Sequence, residues 1–182
     1  MKKKPSQRAG ETQTTTAAPP APDPIAALLA PPTPTPLVPT AVITKKKLLL
    51  DTHCWLWMLS APEKLSATVR AALEDADGTE VFVSAATAWE IAIKTSIGKL
   101  TLALAEGETV TNYVRLRVIA SESTPLPINH EHALQVSALP LHHRDPFDRI
   151  LIAQAMVEPE MHLVTDDENI LKYQGVRLIR AR

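Results

Sequence analysis

Carboxylates accompany apolar runs at four places in this sequence: Leu48-Leu49-Leu50-Asp51-Thr52-His53, Trp89-Glu90, Asp145-Pro146-Phe147-Asp148-Arg149 and Leu163-Val164-Thr165-Asp166-Asp167. A run of about four apolar residues ending in Asp predicts a strand of a parallel sheet, buried on both faces. Such a strand delivers its last side chain to the carboxyl edge, where open α/β sheets place their ligand sites. One such Asp carries little information, but a recurring set constrains the fold and points to chemistry.

The rest of the chain divides in two. Residues 1–44 hold ten of the sixteen prolines, with many Thr and Ala and no periodicity, and read as a disordered extension that cannot build a core. Their apolar stretch, Ile25 to Ala30, is too short to span a bilayer, and Lys2-Lys3-Lys4 runs into polar residues instead of a signal-peptide core, so no membrane association is expected. Residues 45–182 read as one domain of ordinary size, able to bury about two thirds of its unfolded surface without a disulfide or structural metal. With 15 Lys and Arg against 18 Asp and Glu, this domain is no basic nucleic-acid module. Any polyanion must be attracted by bound cations and local Lys or Arg. The single cysteine, Cys54, rules out a disulfide within the chain and fits a reducing, cytoplasmic setting, with Cys54 itself a small core residue.

Patterning within the domain predicts alternating strands and helices. Lys47–Leu50 reads as the first strand, Trp55–Leu59 as a short helix, and Ser66 as the cap of a second. Val81–Val83 reads as a strand leading through Ser84 into a helix over 85–97 that stops at Gly98. A helix over 108–120, a strand over 124–128 and a helix from Asn129 to Ser137 follow. Asp145-Pro146 then starts a helix to about Val157, since Asp caps and Pro fits the first helical position. A strand over 162–165, a short helix over 168–173 and a strand over 176–179 complete an α/β fold with a mostly parallel sheet covered on both faces.

Asp51, Glu90, Asp148 and Asp167 lie 39, 58 and 19 residues apart, so only folding can bring them together. Four crowded carboxylates raise one another's pKa unless a cation is present. Oxygen ligands, without Cys or histidines at paired ligand spacing, favour Mg²⁺ or Mn²⁺ over Zn²⁺. Each acid also has a plainer reading. Asp145, Asp148, Asp166 and Asp167 stand where carboxylates stabilise a helix N-terminus, and Glu90 can pair with Lys94 at i, i+4. Asp145, next to Pro146, is best placed as the cap, leaving Asp148 to face a ligand. Alternation along an extended chain sends Asp167 to the side of Thr165 and Asp166 to the other. Trp55, Trp57 and Trp89 read as core anchors, and His130, His132, His142 and His143 as cap or loop residues. Lys94 and Arg149, each near a proposed ligand, are candidate phosphate contacts.

The run into Asp51, the segment Ser84-Ala-Ala-Thr-Ala-Trp-Glu90-Ile-Ala-Ile-Lys94 followed by Gly98-Lys99-Leu100, the segment Arg144-Asp-Pro-Phe-Asp148-Arg-Ile-Leu-Ile-Ala-Gln-Ala155, and Leu163-Val-Thr165-Asp-Asp167 together resemble PIN-domain ribonucleases of the VapC toxin group, over about residues 46–180. The resemblance implies a three-layer α/β/α PIN-like fold and Mg²⁺- or Mn²⁺-dependent cleavage of RNA. It also implies neutralisation by a cognate antitoxin and assembly as a homodimer. The family's metal-binding and catalytic acids fall on Asp51, Glu90, Asp148 and Asp167, and its characteristic Thr on Thr165, a candidate substrate contact. The extension of residues 1–44 departs from the family pattern.

Other classes fit less well. A phosphatase built on a nucleophilic Asp needs a second acid two residues on, where this chain has His53. A non-catalytic PIN-like module that binds RNA or protein is the rival reading, since fold does not guarantee activity. The composition of residues 1–44 predicts that a chain starting at Lys45 melts and cleaves RNA like the full one; loss of activity or solubility on truncation would show that the extension packs or binds substrate.

Overall fold

The computed structural model describes residues 45–182; the extension expected to be disordered lies outside them. Five strands form a single parallel sheet: β1 Lys46–Leu50, β2 Thr79–Ser84, β3 Thr124–Leu126, β4 Met161–Thr165 and β5 Arg177–Arg180, in the spatial order β3-β2-β1-β4-β5. Parallel neighbours need crossovers, and helices supply most of them. Between β1 and β2 run α1 Thr52–Ser60 and α2 Ala67–Glu74; between β2 and β3, α3 Ala85–Ser96 and α4 Val110–Ala120; between β3 and β4, α5 His130–Gln135 and α6 Pro146–Val157.

The central strand explains the layers. Leu48, Leu49 and Leu50 are all buried, because helices cover both faces of β1. Their side chains alternate. Leu49 joins Phe82, Leu163, Leu151 and Ile152 in one core, whereas Leu48 and Leu50 join Trp55, Val69, Ile91 and Val164 in the other. The α/β/α arrangement follows from that alternation. Cys54 belongs to the second core, where burial pushes its thiol pKa up and keeps it inert.

Capping chemistry sets the helix starts. Ser66 accepts a bond from Val69 N at 3.3 Å, Asn129 forms a capping box with His132, and Asp145 accepts from Phe147 N at 2.9 Å with Pro146 following. At the C-terminus of α3, Gly98 takes φ +70, a left-handed conformation that favours glycine. Ser84 has two tasks. Its hydroxyl accepts from Ala86 N at 2.9 Å and donates to Gln154 Oε1 at 2.7 Å, and Gln154 donates in turn to Pro127 O at 3.2 Å. This buried chain ties β2, α6 and the segment after β3 together.

Several elements differ from expectation for local reasons. β3 is confined to three residues because Pro125 and Pro127 lack the N–H that a strand ladder needs. The short helix near 170 is a 3-10 turn over Ile170–Lys172, and the helix from Asn129 tightens to 3-10 at Val136–Ala138. Trp89, expected as a core anchor, is instead 56% exposed, its ring edge-on to Phe147 with centroids 4.9 Å apart. Among the described residues no helix is long and apolar enough to cross a membrane. Ser84→Ala removes a cap and strips Gln154 of its buried partner, so it should lower the unfolding free energy by about 2 kcal/mol in urea melts; a change within error would show that Gln154 repairs the network alone.

Candidate active site

The strand order reverses at β1, whose neighbours β2 and β4 lead to opposite edges, and such a switch point opens a crevice at the carboxyl ends of the strands. Asp51 leaves β1 there. It stands at the N-cap position of α1, yet its carboxylate caps nothing. Instead it accepts from Thr165 Oγ1 at the end of β4, at 2.8 Å. The Thr165 hydroxyl accepts in turn from Asp167 N at 3.1 Å, linking the two strand ends. Glu90, on the second turn of α3, accepts from Thr52 Oγ1 with one oxygen and from Lys94 Nζ with the other. Asp148 occupies the first turn of α6, beside the capping Asp145.

Asp51, Glu90, Asp148 and Asp167 line one cavity of about 250 Å³, together with Lys94. Four separate elements supply the acids. Asp51 and Glu90 are 4% and 3% exposed, whereas the Asp148 and Asp167 side chains are 18% and 37% exposed. The carboxylates feel one another. Burial first, then the charges of Asp51, Asp145, Glu90 and Asp167, push the Asp148 carboxyl up to about 8. Burial is also the main cause that raises Asp51, against the opposing hydrogen bond from Thr165. Partial burial works against the Lys94 ammonium, but the Glu90 carboxylate, backed by Asp145 and Asp148, outweighs it and raises the Lys94 pKa.

Three placements depart from the sequence reading. Arg149, read as a phosphate contact, does not line the cavity. Its guanidinium turns inward and donates to the carbonyls of Val136, Leu139, Pro140 and His143 at 2.9–3.3 Å. Thr165, read as a substrate contact, is fully buried and positions Asp51 and Asp167. Asp166 was expected to face away from Asp167, but both line the cavity, because β4 ends at Thr165 and strand alternation no longer applies beyond it. The two still differ in use. Asp166 is held by Arg182, with Nε at 2.7 Å, whereas Asp167 Oδ1 accepts from Asn169 N at 2.7 Å and Ile170 N at 3.1 Å.

His53, Trp57 and His143 escaped the sequence reading as site residues; the first two line the cavity. His143, read as a loop histidine, is mostly buried between two acids, with Nδ1 3.2 Å from Asp148 Oδ2 and Nε2 3.6 Å from Asp167 Oδ2. Its only signal was proximity to Asp145, whose backbone N–H donates to Nδ1 at 3.1 Å. The donor set, all carboxylate oxygen with one ammonium among the acids, has the chemistry that suits a hard divalent cation. The acids remain apart, however: among the described residues no three His, Cys, Asp or Glu side chains are gathered as a metal-holding group.

Residues 48–176 match the model of the PIN domain family. No curated protein matches the chain. Among solved structures, the crystal structure of VapBC2 from Rickettsia felis bound to a DNA fragment from their promoter is similar, with a TM-score of 0.54 and 13% sequence identity. That likeness covers 73% of this chain and 97% of the other, and at such low identity it bears on the fold alone.

The raised Asp148 carboxyl makes stability depend on pH. A carboxyl that holds its proton more tightly in the folded state contributes stability in full below its unfolded pKa, about 4, and loses it as pH rises through the folded value. In EDTA, the melting temperature of the wild type relative to Asp148→Asn should therefore fall between about pH 4 and pH 8. A constant difference across that range would place the titration elsewhere.

Proposed function

From the premise that the chain belongs to the PIN domain family, we propose that it is a Mg²⁺- or Mn²⁺-dependent endoribonuclease acting as the toxin of a toxin–antitoxin pair. The observation that carries the reading is the convergence of Asp51, Glu90, Asp148 and Asp167 from four elements on one cavity at the sheet's carboxyl edge. Bound there, a divalent cation supplies Lewis acidity, lowering the pKa of water and neutralising charge at phosphate oxygens. Asp51, Glu90, Asp148 and Asp167 would hold it. Because they stand apart, they must draw together to share it.

The protein's own groups do the rest. Thr165 fixes the Asp51 carboxylate, and Thr52 fixes Glu90. Asp148, in the first turn of α6 and on the more exposed side of the acid set, would hold the cation and is placed to accept a proton from an attacking water. Lys94 neutralises Glu90 in the structure and is free to exchange that carboxylate for a phosphate oxygen, which would place its charge on the substrate. No covalent protein nucleophile is required.

The toxin assignment starts from PIN-family membership and brings a cognate antitoxin as partner, and the fold shared with the VapBC2 structure is compatible with it. A homodimer is the assembly this reading carries, and exposed apolar residues such as Trp89, Ile119, Leu134 and Leu141 are available to it. The rival reading, a binding module without catalysis, draws support from one observation: both Glu90 oxygens already have partners.

Activity separates the two. The protein should cut RNA in Mg²⁺ or Mn²⁺ and stop in EDTA, and Asp51→Asn or Glu90→Gln should each lower kcat about a hundredfold or more with unchanged circular dichroism. Asp148→Asn should cost far more activity than Asp145→Asn, whose loss should appear mainly as about 1 kcal/mol of stability. Asp167→Asn should likewise exceed Asp166→Asn. Full activity in both Asp51→Asn and Glu90→Gln would overturn the nuclease reading in favour of the binding module.

A further inference from the structure

A second cavity adjoins the acidic one, and we infer that it is the subsite for an unpaired nucleobase of the RNA strand. The inference rests on the nuclease reading and adds where a base of the bound strand is held. This cavity, of about 310 Å³, shares His53 and Trp57 with the acidic cavity, so a group bound in one is the neighbour of a group bound in the other. Its volume lies at the lower end of ligand-sized clefts, about 300 to 1,000 Å³.

The two linings differ in kind. The acidic cavity sets five carboxylates against Lys94, whereas the second has no Asp, Glu, Lys or Arg in its wall. Leu56, Leu100 and Leu102 provide apolar walls, Trp57 and Tyr113 provide aromatic rings, and Ser60 and Thr101 provide hydroxyls. The Ser60 hydroxyl already donates to Leu56 O at 2.8 Å, leaving its oxygen to accept. An arginine lies against each ring. The Arg182 guanidinium lies 4.9 Å from the Trp57 centroid, and that of Arg117 lies 4.4 Å from the Tyr113 centroid.

An anion gains nothing from walls of Leu, Trp and Tyr, whereas a planar, neutral group with hydrogen-bonding edges gains from all three kinds of lining. An apolar amino-acid side chain would suit the walls equally well. On the nuclease reading the shared border decides: the scissile phosphate is the occupant of the acidic cavity, so the group held beside it in the second is the flat aromatic body attached to that phosphate. A nucleotide has that composition. Stacking on an aromatic side chain accepts any base, so the subsite would favour unpaired RNA over duplex without dictating one letter.

Labelled single-stranded oligoribonucleotides, intact or abasic at each position in turn, test the proposal by anisotropy with the full-length protein in Ca²⁺ and by cleavage in Mg²⁺. One abasic position should weaken wild-type binding by about 5- to 150-fold. Ala103→Trp, an exposed wall residue enlarged to fill the cavity, should weaken the intact strand by a similar factor and leave the Kd for that abasic strand unchanged. Binding that ignores every abasic position, fails altogether, or falls equally for both strands in Ala103→Trp would overturn the subsite. The nuclease reading fails separately: base-dependent binding without cleavage would retain the subsite and discard catalysis, and cleavage without base dependence would do the reverse.

Discussion

Mutual repulsion among the carboxylates at the end of the sheet is the constraint on which the rest of this structure depends. Five of them line one small cavity, two nearly out of contact with water. Uncompensated charges so placed would unfold a domain of ordinary stability. Four of the five are given a remedy: a threonine hydroxyl for Asp51, a threonine and a lysine for Glu90, an arginine for Asp166 and backbone amides for Asp167. The strained member is Asp148: the nearest ring nitrogen, His143 Nδ1, already accepts from Asp145 N, and burial with four surrounding charges raises its carboxyl.

Holding charges in that geometry requires a rigid frame, and the apolar strands supply it. β1 sends side chains into both cores, so the backbone at Asp51 is fixed and only rotation of its side chain can bring the carboxylate toward the others. The Ser84–Gln154–Pro127 chain performs the same service for Glu90 and Asp148, since it joins the start of α3 to the middle of α6. Arg149 belongs to this framework. Its bonds to four loop carbonyls pin the segment carrying His143, and through His143 they bear on Asp148 and Asp167.

How much of this was legible in the sequence depends on the range of the interaction. Strand runs and capping residues act locally, so β1, β2, β4 and the starts of α2, α3 and α6 stood close to where Leu48–Leu50, Ser66, Ser84 and Asp145-Pro146 pointed. The four acids were legible as a set because each ends or begins an element. His143 was not, because its two partners come from a helix and a strand end beyond its own loop. Arg149 misled for the opposite reason: position next to Asp148 says nothing of which way a long side chain turns, and a helical neighbour faces a different direction. Trp89 is large and apolar beside Glu90, yet it lies toward solvent while Glu90 is buried, which a helix of mixed polarity does not announce.

On the proposed reading, the same repulsion couples substrate to cation. The domain carries more acid than base, and the acidic cavity offers a polyanion one lysine, already committed to Glu90. A phosphate entering the metal-free site meets net negative charge, and a cation entering without phosphate must draw together carboxylates that each have a partner. Either ligand lowers the electrostatic work of admitting the other, so their binding is positively coupled, and linkage makes the coupling reciprocal. The arginines against Trp57 and Tyr113 add little attraction for the phosphate, because Arg182 is already paired with Asp166 and Arg117 with Glu108.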